Sequence, residues 1–225
     1  MQRLIELGAS YRESRLPLGV EQLFPEELAQ VRLACDKRLR DFAAGRCCAR
    51  QALEPFGLGQ ALLLGGETGA PVWPQGMVGS ITHTEGFAAA SVASERLLAG
   101  IGIDAEWRRP GRIEQGMLPL LFTEAERTRF GLCPKKPLSF LGFAAKEALY
   151  KCLHPLVRTF FGFTDAELLA VDMERSTFTL RLLRDLPAGH AAGRCYAGMF
   201  QWQEELILTA VALLAPAAAA RRSAG

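Results

Sequence analysis

The run LLAGIGIDAEWRRP, residues 97–110, ends an apolar stretch in two carboxylates, Asp104 and Glu106, one residue apart. The stretch reads as a strand, and positions two apart on a strand face the same way. Two like charges side by side repel unless something positive lies between them. The pair either points into water or holds a cation. Hard carboxylate oxygens suit Mg²⁺, which takes few protein ligands and shares its other positions with waters and substrate phosphates. A D-x-E at a strand end fits solvated charge equally well, so other groups have to decide.

FAAKEALYK, residues 143–151, sets Glu147 and Lys151 four apart, on one helix face. An isolated E-x-x-x-K is most often a surface ion pair. Here the surrounding residues leave little polar face, the pattern of a buried helix. Lys146, Glu147 and Lys151 are therefore expected in or beside a cleft, where unpaired charge is costly. GSITHTEG, residues 79–86, places His83 among Ser80, Thr82, Thr84 and two glycines. It reads as a structural histidine or as a ledge for phosphate or amide groups. RLACDKRLRDFAAGRCCAR, residues 32–50, gathers Arg32, Lys37, Arg38, Arg40, Arg46 and Arg50. It reads as a solvated basic face, or as a phosphate clamp formed by Arg46 and Arg50 one turn apart.

The elements that must position these groups follow from apolar spacing. A helix is expected from Pro25 to about Leu53, with Pro25, Glu26 and Glu27 at its start. A Gly/Pro-rich loop follows, then one strand over SITHTEGFAAASVAS and another over LLAGIGIDAEW. FTEAERTRF predicts a short helix capped by Thr123, with Glu126 closing a capping box. KPLSFLGFAAKEALYKCL predicts a second, largely apolar helix. STFTLRLL, YAGMFQW and LILTAVALL predict strands, the last two a hairpin turning at Glu204 and Glu205. The tail, residues 216–225, has too little to bury and is expected to be disordered.

This gives an α+β chain of two halves meeting near residue 106: 1–105, 106–215, and the tail. The chain has 225 residues and a formal net charge of +2, which argues against nucleic-acid binding. The start lacks the apolar core of a signal peptide, and no apolar run is long enough for a membrane span. Six cysteines without metal-ligand or disulfide-framework spacing place the protein in the cytoplasm.

In this order the pieces FAAGRCCAR, GAPVWPQGMVGSITHT, GIGIDAEW, FTEAER and FAAKEALYK resemble the 4′-phosphopantetheinyl transferases, in particular the enterobactin synthetase component D-like branch. No single piece is specific; the ordered set, from about Asp41 to Lys151, is. The resemblance implies a pseudo-dimer of two similar α/β halves with the active site between them. It implies transfer of the phosphopantetheine arm of coenzyme A to a serine of an apo acyl, peptidyl or aryl carrier protein, releasing adenosine 3′,5′-bisphosphate. Asp104, Glu106 and Glu147 would be the Mg²⁺ ligands. Arg38, Arg46, Thr82, His83, Lys146 and Lys151 would contact coenzyme A, with Arg46 and His83 near its 3′-phosphate and Thr82 in the same pocket as His83. The separation from Asp104 to Glu147 would be that of a site between two halves. Ala144-Ala145 and Thr82 depart from the small polar residue and the serine common at those positions, with altered pocket detail expected.

Glu147 would be the base, directly or through a water held by the metal, and Lys151 would stabilise or protonate the leaving bisphosphate. Arg108, Arg109 and Arg112 offer a basic face for an acidic carrier. Siderophore, polyketide, nonribosomal peptide and fatty acid synthesis all fit as pathways, and the pseudo-dimer favours a monomer. A Mg-dependent diphosphate hydrolase or nucleotidyl transferase, and a non-catalytic coenzyme A binding module, are the alternatives.

Overall fold

Pro25 does start a helix, but the helix is short. In the computed structural model, which describes residues 1–15, 19–66, 69–216 and 218, α1 (Gln2–Glu6) and β1 (Ser10–Ser14) come first. α2 (Pro25–Val31) and α3 (Asp36–Leu53) replace the single helix expected from Pro25 to Leu53. The break has a local cause. Between Val31 and Leu39 no residue is buried, and Leu33 lies 92% exposed. Nothing anchors a continuous helix there, and Cys35 turns extended before Asp36 begins α3.

β2 (Met77–Thr84) and β3 (Phe87–Ser94) form a hairpin where one strand was expected. Glu85-Gly86 makes the turn, and Gly86 supplies the positive φ, +70°. β3 is the centre of a three-stranded antiparallel sheet ordered β1-β3-β2. It is buried from Phe87 to Ala93, which its run of small and apolar residues allows. α3 packs on this sheet, joining Cys48, Ala49, Ala52 and Leu53 to Ala88, Ala90 and Val92.

β4 (Leu98–Trp107) is followed by α4 (Leu118–Leu121), α5 (Glu124–Phe130) and α6 (Pro137–Val157). Then come β5 (Ala166–Asp172), β6 (Thr177–Leu182), β7 (Cys195–Gln203) and β8 (Leu206–Leu214). Their sheet is ordered β4-β8-β7-β6-β5, with β5 to β8 antiparallel in succession. The β7–β8 hairpin turns at Glu204-Glu205 as expected, Gln203 opposite Leu206. Thr123 caps α5 as expected: its hydroxyl accepts from Glu126 N, and the Glu126 carboxylate accepts from Thr123 N. β1 and β5 have no counterpart in the sequence reading. β1 is a polar edge strand, and the alternation of β5 is broken by an irregularity between Leu168 and Ala170.

The architecture is α+β. The chain divides into two units, Gln2–Ile101 with Leu213–Gly225, and Gly102–Ala212 with Met1. Each sets one long helix, α3 or α6, with an antiparallel sheet. The division falls inside β4, so Asp104 and Glu106 belong to the second unit. The tail expectation falls, apart from residues 216 and 218, outside the described residues. No helix among the described residues is long and apolar enough to cross a membrane.

Candidate active site

β4 is buried along almost its whole length, including both carboxylates, Asp104 at 7% and Glu106 at 2% exposure. Gly102 shares their face of the strand, and a Cβ there would lie 1.8 Å from the Ala148 carbonyl oxygen and 2.5 Å from Cys152 N. That face therefore lies against the backbone of α6, and only glycine permits so close an approach. The same approach brings Lys151 to Asp104: Nζ donates to Oδ1 at 2.6 Å and to the Ile103 carbonyl at 3.2 Å. Glu106 is gripped by Arg112, Nε to Oε1 at 2.6 Å and Nη2 to Oε2 at 2.7 Å. The two carboxylates tolerate each other because each has its own cation.

Glu147 stands one turn before Lys151 on α6. Burial pushes its carboxyl above the usual carboxylate range, and the negative charge of Asp104 adds to that. Lys151 opposes the shift, and Glu106 adds a smaller push upward. A carboxylate so placed is a stronger proton acceptor than one in water. Beside it opens a cleft of about 160 Å³, lined chiefly by Tyr150, Phe160, Phe161 and Phe163. The Tyr150 ring lies 5.0 Å from that of Phe161 and 6.0 Å from that of Phe160.

A second group lies in the first unit, where α3 meets β2. Arg38 Nη1 is 3.4 Å from His83 Nε2, and Asp41 Oδ2 is 3.7 Å from His83 Nδ1 and 2.6 Å from Lys37 Nζ. Arg46 is buried, its Nε donating to the Leu63 carbonyl at 2.8 Å and its guanidinium 4.0 Å over the Phe42 ring. Burial lowers its pKa to about 10, so it stays charged at neutral pH.

Residues 25–93 match the 4′-phosphopantetheinyl transferase N-terminal domain, and residues 100–207 match the 4′-phosphopantetheinyl transferase superfamily. The chain is 43% identical over 212 residues to 4′-phosphopantetheinyl transferase Svp of Streptomyces mobaraensis, covering 91% of this chain and 84% of Svp. The chain belongs to the 4′-phosphopantetheinyl transferase superfamily. It is 36% identical to 4′-phosphopantetheinyl transferase Npt of Nocardia iowensis, over 76% of this chain and 84% of Npt. Identity to enterobactin synthase component D of Escherichia coli K12 is 28%, over 80% of each chain.

In this phosphopantetheinyl transferase several expected site residues have other tasks. Lys146, expected to face coenzyme A, is among the residues that line the cleft, and its buried ammonium uses its three donors within the protein. They reach Glu126, the Leu121 carbonyl and the Phe163 carbonyl, each at 2.8 Å. Thr82 does not share the His83 side of β2: neighbours on a strand face opposite ways, and Thr82 is 3% exposed. Arg50 cannot pair with Arg46 as a clamp, because Glu27 and the Gln22 carbonyl hold its guanidinium. The basic face of Arg108, Arg109 and Arg112 is partly neutralised, Arg108 by Glu205 at 2.5 Å and Arg112 by Glu106. Asp104, Glu106, Glu147 and Lys151 all lie in the second unit, and β4 on α6 bridges their sequence separation.

Among the described residues no three His, Cys, Asp or Glu side chains form a ready-made cation cage. The donor set nonetheless suits a hard cation. Asp104, Glu106 and Glu147 offer oxygens only, the donors a hard cation prefers. The aromatic cleft was missed in the sequence, though FFGF, residues 160–163, was its available signal. Asp41 was missed as well, and it lies one turn from Lys37 and Arg38.

Proposed function

We propose that this chain transfers the 4′-phosphopantetheine group of coenzyme A to a serine hydroxyl of an apo acyl, peptidyl or aryl carrier protein, releasing adenosine 3′,5′-bisphosphate. The observation that carries the reading is the pairing of Lys151 on α6 with the buried Asp104 on β4, with Glu106 two residues along the strand and Glu147 one turn before Lys151, within a member of this superfamily.

Asp104, Glu106 and Glu147 would hold Mg²⁺, which when bound supplies positive charge to the pyrophosphate oxygens. Glu147 takes the proton of the serine hydroxyl, directly or through a water, as the serine oxygen bonds to the phosphorus that bears pantetheine. The bond from that phosphorus to the bridging oxygen breaks, and the bisphosphate leaves with the electron pair. Lys151, held by Asp104 and the Ile103 carbonyl, offsets the charge on the leaving oxygen or protonates it. Positioned proton transfer of this kind contributes ~10²–10⁴-fold in rate. The apolar cleft beside Glu147 suits the pantetheine arm, and Arg38, Arg46 and His83 suit the nucleotide phosphates. The six free thiols support a cytoplasmic location, and we take the working form to be a monomer serving siderophore, polyketide, nonribosomal peptide or fatty acid synthesis.

Intact-protein mass spectrometry of apo carriers incubated with this protein, coenzyme A and Mg²⁺ tests the reading. A gain of one phosphopantetheine group, lost with chelator, is expected. Intact coenzyme A and unmodified carriers would leave only a binding module. Coenzyme A cleaved without transfer would identify a hydrolase.

A further inference from the structure

We propose that Arg112 is a guanidinium latch on the acidic site, occupying both oxygens of Glu106 until a divalent cation displaces it. The proposal rests on the reading of Asp104, Glu106 and Glu147 as the cation site. Its basis is an asymmetry in how the two β4 carboxylates are held. Lys151 reaches Asp104 from a helix and is also anchored on the Ile103 carbonyl. Arg112 comes from the irregular segment after β4, where residues 108–114 belong to no helix or strand.

Both of its bonds to Glu106 are short and parallel, the fork geometry in which guanidinium grips carboxylate best. The Glu106 side chain is 3% exposed, whereas that of Arg112 is 53% exposed. Glu106 therefore cannot leave the site without carrying charge through protein, but Arg112 can swing into water at little cost. The oxygens a cation would bind are the two that Arg112 already uses, so the two compete directly.

The latch has two consequences. Without a cation, Glu106 would be a buried, unpaired carboxylate, a costly state that Arg112 prevents. With a divalent cation, the released guanidinium stays tethered six residues from Glu106. It adds positive charge where a pyrophosphate or an acidic carrier surface would arrive. A monovalent ion brings no more charge than Arg112 does and gains nothing by replacing it.

Binding of Mn²⁺ in the presence of coenzyme A and without carrier, followed by the electron paramagnetic resonance signal of free Mn²⁺, tests this without turnover. Arg112→Gln is expected to tighten Mn²⁺ binding by about tenfold or more, tenfold being the equivalent of one charge-assisted bond to the competing group. It should also lower the thermal midpoint of the cation-free protein, with Mn²⁺ restoring it. Arg112→Lys, which keeps charge but not the fork, should tighten binding less. Arg112→Gln that binds Mn²⁺ as the parent does, or more weakly, would overturn the latch, provided Glu106→Gln loses binding. Glu106→Gln with undiminished Mn²⁺ binding would overturn the cation reading itself, and the latch with it.

Discussion

Lys146 and Glu147 are neighbours on α6, yet one turn of a hundred degrees sends them into different chemistry. Lys146 points to Glu126, which also accepts from Thr123 N and from Leu168 N at 2.7 Å each. This buried pair ties α5, α6 and the start of β5 together, and burial pulls the ammonium below its usual pKa despite the Glu126 charge. Lys146→Met leaves Glu126 charged and partly unpaired. It is expected to cost roughly 3–5 kcal/mol of stability, read by urea unfolding. The double variant Lys146→Met with Glu126→Leu should recover part of that loss, which a role in binding coenzyme A would not produce. Asp104 presents the opposite case. Asp104→Asn keeps an acceptor for Lys151 but removes the charge, so transfer should fall by more than roughly 100-fold while the unfolding midpoint changes little. Near-normal turnover would remove Asp104 from the catalytic machinery.

At the scale of elements, the site is a consequence of β4 lying directly on α6. The approach is set by Gly102, whose missing side chain lets the strand meet helix backbone. Thr209 on the neighbouring β8 also ties its strand to α6, its buried hydroxyl donating to the Ala144 carbonyl at 2.8 Å. Gly102→Ala forces backbone against backbone, where no rotamer can relieve the contact. The expected outcome is a loss at or above the ~1–3 kcal/mol typical of an overpacked core, together with a fall in kcat, because Lys151 moves off Asp104. Stable protein with parental kcat would show that strand and helix can separate without disturbing the cluster. The contrast with α5 is instructive. Its ends are set locally, by Thr123, Glu126 and Gly131, and were legible as a capping box, whereas no local signal in GIGID marks Gly102 as a contact point.

For the molecule as a whole, pH dependence of stability has an identifiable source away from the site. His190 is 5% exposed, its Nδ1 is 2.6 Å from the Tyr196 hydroxyl, and burial followed by Arg194 lowers its pKa. Below pH ~6.5 the unfolded chain takes up a proton that the folded protein resists. Stability is therefore present above that pH and declines as pH falls through the window below it. Urea midpoints measured across this range should fall on acidification, and His190→Gln should flatten the decline; an unchanged slope would locate the effect elsewhere. The α+β class, the long α6, the capped α5, the β7–β8 hairpin and the residue types of the acidic group were all determined by sequence, because each rests on spacing within a few residues. The expected single helix from Pro25 failed where burial, not spacing, decides, and the Glu85-Gly86 turn lay inside a stretch read as one strand. Only the tertiary structure decided which charges meet: Lys151 with Asp104, Arg112 with Glu106, Lys146 with Glu126, Arg50 with Glu27. Apart from Arg112 with Glu106, six residues apart, these pairs depend on which backbones approach within a few ångströms, and that is fixed by contacts between residues far apart in the chain.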